Sequence, residues 1–135
     1  MKKRIAFISE HASPLAMLGG ADSGGQNVYV DRVARHLAKI GYEVDVYTRW
    51  DDPNQPHVVR YATAIRIIHI NAGEKKFIAK EKLFQHMDEF AENMLNFIKK
   101  GRLSYDIIHA HFWMSGYVAT IIKKMLGIPF VITFH

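Results

Sequence analysis

Three helical stripes, each ending at a glycine and each set between short apolar runs, constrain this chain more than any other feature. Val30, Val33, Ala34, Leu37 and Ala38 recur at the three-and-four spacing of an amphipathic helix and stop at Gly41. Leu83, Met87, Phe90, Ala91, Met94 and Ile98 form a second stripe ending before Gly101. Met114, Tyr117, Val118, Ile121, Ile122 and Met125 form a third, closed by Gly127. The runs Arg4 to Ser9, Glu43 to Thr48, Ile65 to Ile70, Tyr105 to His109 and Pro129 to Phe134 read as five strands. Strands joined through helices lie parallel, because only a long crossover returns the chain to the same end of the sheet. The expected fold class is therefore α/β: a Rossmann-like, doubly wound parallel sheet forming one domain over residues 1–135. Asp51 to Pro56 is a turn-rich connection, and Glu10 to Gly25 a long loop with neither period.

Sheets of this kind bind ligands beyond the carboxyl ends of their strands. The unusual residues fall there: the loop after the first strand, His109 and His111 after the fourth, and His135 after the fifth. Gly19-Gly20-Ala21-Asp22-Ser23-Gly24-Gly25-Gln26-Asn27 runs straight into a helix. Gly24 and Gly25 remove side chains where a ligand must approach, and the free N–H groups of a first helical turn favour an anion. Phosphate or sugar hydroxyls fit such a loop; so does a plain flexible loop capped by Asp22 or Ser23. The dinucleotide pattern G-x-G-x-x-G and the P-loop ending Gly-Lys-Ser/Thr are both absent.

His109 and His111 are two apart, so both rings share a face if the strand persists to His111. They can serve the loop backbone or contact a ligand. A zinc site would need a third protein ligand, and without cysteine only the remote His11 or His135 could supply it. Lys75, Lys76, Lys80 and Lys82 read as a solvated face. No G-x-S-x-G elbow supports a serine hydrolase, the acids near Asp88 lie on an ordinary helix surface, and no ribonucleoprotein or zinc-finger pattern supports nucleic-acid binding.

With 49% hydrophobic residues the chain can build its own core, and a formal charge of +5 favours anionic ligands, although the basic residues are scattered. The absence of cysteine excludes disulfides and thiolate metal sites and fits a reducing, cytoplasmic setting. The opening Met-Lys-Lys-Arg precedes too short an apolar run, Ile5 to Ile8, for a signal peptide, and no run approaches the roughly 18 residues of a membrane span.

Three segments together carry a resemblance. Asp22 to Val30, Tyr105 to Gly116 and Gly127 to His135 resemble family-4 retaining glycosyltransferases of the GT-B fold, nearest in pattern to sucrose synthase, sucrose-phosphate synthase and the mycothiol-pathway glycosyltransferase. The resemblance implies the N-terminal, acceptor-side domain of an enzyme whose C-terminal domain, outside this chain, holds a nucleoside-diphosphate sugar. It implies that Gly24 and Gly25 approach the donor diphosphate, and that Gln26 or Asn27 bonds the acceptor or transferred sugar. Lys80 stands where a mycothiol-pathway lysine meets the acceptor's phosphate, and His111 is placed on the acceptor side. His135 matches the histidine of the Thr-x-His segment beside the reacting sugar, and is the expected catalytic residue. Phe112 departs from the mycothiol pattern, which has a phosphate-contacting tyrosine there. No metal or cofactor is expected, and the 135-residue piece alone is expected to be inactive. The rival expectation is a stand-alone nucleotide- or sugar-phosphate-binding domain without turnover; a nicotinamide oxidoreductase is disfavoured by the missing fingerprint.

Overall fold

The computed structural model describes residues 2–17 and 24–135; the expectations for Gly19 to Ser23 lie outside the described residues. Strands β1 (Arg4–Ile8), β2 (Glu43–Arg49), β3 (Val58–Ala62), β4 (Ile65–Ile70), β5 (Ile107–His111) and β6 (Phe130–Thr133) form one sheet in the order β3-β4-β2-β1-β5-β6. Helices α1 (Gly25–Lys39), α2 (Met87–Lys100) and α3 (Trp113–Leu126) cover it. All neighbours pair in parallel except β3 with β4.

Alternation along the strands separates two cores. Ile5 and Phe7 of β1 join Val44, Val46, Ile65 and Ile67 beneath Val30 and Ala34 of α1. Ala6 and Ile8 turn to the other face and pack with Ile68, Ile108 and Ala110 against Phe90 and Met94 of α2 and Val118 and Ile122 of α3. β1 lies at the centre of the sheet and is buried on both faces, which is why Ile5 to Ile8 reads as a continuous apolar run. From β1 the chain winds outward through β2 to β4, then returns to β5 on the opposite side of β1. The carboxyl ends of β1 and β5 therefore flank the switch point.

The structure departs from the sequence expectation in four places. β3 is an additional, antiparallel edge strand, joined to β4 through Ala64 at φ 64° and irregular between Arg60 and Ala62. β5 runs Ile107–His111, two residues later than expected, because Tyr105 leaves the ladder to bury its ring. α2 begins at Met87, after short 3-10 turns at Lys80–Lys82 and Phe84–His86. α1 begins at Gly25, with Gly24 as its cap residue.

A polar network ties the amino-terminal half of the sheet. Arg66 donates two hydrogen bonds of 2.8 Å to the Asp45 carboxylate, Tyr105 donates one of 2.6 Å, and the Tyr105 and Tyr47 hydroxyls meet at 2.7 Å. The Asp45 hydrogen bonds raise the Arg66 pKa, and burial raises those of Tyr47 and Tyr105. At the other end of β2, the buried Arg49 guanidinium donates to the carbonyls of Ala72 (3.0 Å), Glu74 (2.8 Å) and Lys76. It thereby fixes the segment that leads to Lys80.

Candidate functional site

At the carboxyl end of β1 the Ser9 hydroxyl donates to the Ala12 carbonyl (2.7 Å) and accepts from Gln26 Nε2 (3.1 Å). Asn27 Nδ2 donates to the Ser13 carbonyl at 2.9 Å, and its Oδ1 accepts the Gly24 N–H at 3.1 Å. Gln26 and Asn27 thus tie the first turn of α1 to the loop after β1. Apart from this Asn27 bond to the cap N–H, no side chain among the described residues caps that turn, and no acidic residue lies in it. Its first-turn N–H groups and the positive end of the helix dipole make Gly24 and Gly25 a place where negative charge is favoured. Neither glycine is demanded by the fold: Gly24 has φ −80°, a Cβ on it would meet only Asn27 Oδ1 at 3.7 Å, and one on Gly25 would meet nothing. Their missing side chains leave the backbone approachable.

Beside this helix end the three histidines stack. The rings of His109 and His111 lie 4.0 Å apart and those of His111 and His135 5.4 Å apart. His109 Nε2 meets the Thr133 hydroxyl at 2.7 Å, and His111 Nδ1 meets His135 Nε2 at 3.2 Å. Tyr29 of α1 stands edge-on to both His111 and His135. His111 is fully buried, and its Nε2 has no hydrogen-bond partner among the described residues. Burial, with His109 and His135 adding to it, holds the His111 pKa down to about 2. Burial lowers His109 as well, helped by His135. In His135 burial and then His11 lower the pKa, against a smaller opposing pull from Glu10. The ladder is neutral at physiological pH.

One group was missed in the sequence. Glu10, only 1% exposed, accepts from the Ser115 hydroxyl and meets His11 Nδ1 at 3.0 Å, while its own N–H lies 3.3 Å from Ser115 Oγ. Ser115 is 105 residues away in sequence, so no local pattern announces the contact; the only signal was a charged residue directly after a buried strand. His11 then stands edge-on to Phe112 at 4.9 Å, and Lys80 Nζ lies 5.0 Å over the same Phe112 ring. Phe112 itself adopts φ 82° and ψ 157° at the cap of α3, a conformation that costs any residue but glycine.

Glu10, His11, Arg49, Asp51 and Lys80 line a cleft of about 380 Å³. Of the four lysines in that stretch, Lys80 faces this cleft, whereas Lys75 lies over the Trp50 ring and Lys76 near Glu74. A larger concavity, about 830 Å³, opens at the opposite end of the sheet beside Arg4, Asp45 and Arg66. Its inner charges are already paired, so size does not mark it as the site. Among the described residues no three acidic or histidine side chains gather as a metal-holding group, and no helix is long and apolar enough to cross a membrane.

Comparison with known proteins gives consistent relatives. The profile of Glycosyltransferase Family 4 matches residues 23–135. The chain is 43% identical over 132 residues to a D-inositol 3-phosphate glycosyltransferase from Corynebacterium glutamicum, a match covering 98% of this chain and 32% of that protein. It is 42% identical over 134 residues to mannosylfructose-phosphate synthase from Agrobacterium fabrum, covering 98% of this chain and 29% of that one. Among solved structures, sucrose-phosphate synthase from Thermosynechococcus elongatus superposes with a TM-score of 0.87 at 34% identity, covering 99% of this chain and 33% of that one. The chain thus spans about a third of the length of the curated relatives it matches.

Proposed function

Since the chain belongs to Glycosyltransferase Family 4 and has the family's GT-B type of sheet, we propose that the whole protein is a retaining glycosyltransferase moving a hexose from a nucleoside-diphosphate sugar to a hydroxyl of a sugar or sugar-phosphate acceptor. In this reading residues 1–135 form its N-terminal, acceptor-side domain, and a C-terminal domain supplies the nucleotide-sugar site. The observation that carries the reading is the N-terminus of α1, with glycine at its cap and first position, next to a neutral histidine ladder. Departure of a diphosphate builds negative charge, and fixed N–H dipoles at a helix end stabilise such charge without reorganising.

Gly24 and Gly25 let the diphosphate reach those N–H groups. Gln26 and Asn27 hold the turn and face the sugar, and His135 bonds the sugar beside the reacting carbon. His111 stands behind His135, on the acceptor side. Lys80, over Phe112 at the mouth of the 380 Å³ cleft, receives an acceptor phosphate. Each of the three relatives named above carries a phosphorylated sugar or polyol in its name, which supports that class of acceptor. Phe112 lacks a hydroxyl, so the phosphate rests on Lys80 charge instead. The reaction uses no metal, and the cysteine-free sequence supports a cytoplasmic setting.

The test is to incubate the full-length protein with a panel of nucleoside-diphosphate hexoses and sugar phosphates, and to read product and anomeric configuration by NMR. A retained anomer, unaffected by EDTA and absent when only residues 1–135 are supplied, is the expected result. An inverted product, or donor binding without transfer across the panel, overturns it; the latter would favour a binding domain.

A further inference from the structure

We infer that His111 is a positioning residue: it donates its Nδ1–H to His135 Nε2 and so locks His135 as a hydrogen-bond donor through Nδ1. The argument starts from the unpartnered ring nitrogen. His111 Nδ1 and His135 Nε2 lie 3.2 Å apart, so one of them carries the shared proton. If His135 donated, a neutral His111 would carry its proton on Nε2, the buried atom without a partner among the described residues. Orphaned buried N–H groups are the rarest unsatisfied groups in folded proteins. If His111 donates, Nε2 is left as a bare lone pair, and the one available N–H makes a bond. A doubly protonated His135 would force the same orphan N–H on His111, and the lowered pKa of both rings opposes it.

Everything packed around His111 supports a fixed ring. Phe7 of β1 lies 4.8 Å away by centroid, His109 stacks at 4.0 Å, Tyr29 of α1 closes the third side at 5.7 Å, and Gln26 Nε2 reaches the His111 carbonyl at 3.5 Å. The consequence for His135 is chemical. Its Nε2 lone pair is occupied, so it cannot serve as a base through that atom; it can only offer Nδ1–H to an oxygen. The inference deepens the glycosyltransferase reading, and its functional meaning rests on that reading: the donor would hold a sugar hydroxyl, with no part in moving a proton.

The protein labelled with ¹⁵N-histidine, studied by long-range ¹H–¹⁵N correlation at pH 7 without any ligand, tests this directly. His111 and His135 are both expected to show Nδ1 protonated and Nε2 bare. His111→Asn places an amide N–H where Nδ1 sits and should preserve the His135 pattern. His111→Phe should release it toward the Nε2–H form that an unconstrained imidazole prefers. Should His111→Phe fail to fold, the wild-type and His111→Asn spectra still decide. His135 protonated on Nε2 in the wild type, or unchanged in a folded His111→Phe protein, overturns the inference. Because no donor sugar is needed, an inactive protein with a locked His135 would sink the glycosyltransferase reading alone.

Discussion

At the amino-terminal half of the sheet, Asp45 takes two hydrogen bonds from Arg66 and a third from Tyr105, whose hydroxyl also meets Tyr47. At the carboxyl ends His111, no less buried, keeps one ring nitrogen without a partner among the described residues, beside a helix turn whose cap residue, Gly24, has no side chain to offer. The first network closes on itself: each charge has its counterpart within the chain, and nothing is left over for a ligand. The second leaves donors unspent and holds its histidines neutral by burial. Polar groups inside a protein either stabilise it or wait for something, and the count of unmet partners distinguishes the two.

The sharpest way to break this contrast is at the start of α1. On the glycosyltransferase reading, Gly24→Leu in the full-length protein should lower transfer by about 100-fold or more, because a displaced diphosphate would lose its aligned donors. The urea unfolding midpoint should hardly move, since the chain itself leaves room for a Cβ there. A large loss of stability would mean that the glycine serves the fold. The opposite end should behave in reverse: Asp45→Ala should cost about 2–3 kcal/mol in urea unfolding and leave donor affinity unchanged. That is below the full figure for a broken buried pair, because the Arg66 side chain remains 30% exposed.

Acid should find the histidine end first. His111 has its folded pKa below its unfolded value, so the unfolded chain binds a proton that the native chain refuses, and stability falls as pH drops below about 6.5. His111 alone should lose roughly 2 kcal/mol between pH 6.5 and 5, and denaturation curves for His111→Asn should show a shallower slope over that window. The smallest effect concerns Phe112. Phe112→Gly should stay within about 1 kcal/mol of wild type and be more stable than Phe112→Ala, the reverse of the usual order, because relief of the positive φ offsets lost packing.

These expectations draw on features of unequal visibility. The wound sheet was legible because its strands are buried on both faces and its helices on one, so burial writes distinct periods into the sequence. β3 was not: Val58 to Ala62 is half-exposed on an edge, after Pro56, and an edge strand needs no such pattern. Persistence of β5 to His111 puts both rings on one face, as spacing two requires, and their stacking with His135 follows from the parallel pairing of His111 with Thr133. The union of Glu10, His11 and Ser115 was invisible, since it joins the ends of β1 and α3 through tertiary contact alone. Lys80 stood among lysines of like appearance; the Arg49 clasp on the preceding segment and the 3-10 turn single it out, and neither is readable from charge.

Phe112 has a meaning beyond its energetics. Glycine would relieve its strained backbone at little cost to the fold, yet the chain carries an aromatic ring there. On the proposed reading the strain is the cost of a platform: the ring face at position 112 holds the Lys80 cation where an acceptor phosphate would meet it.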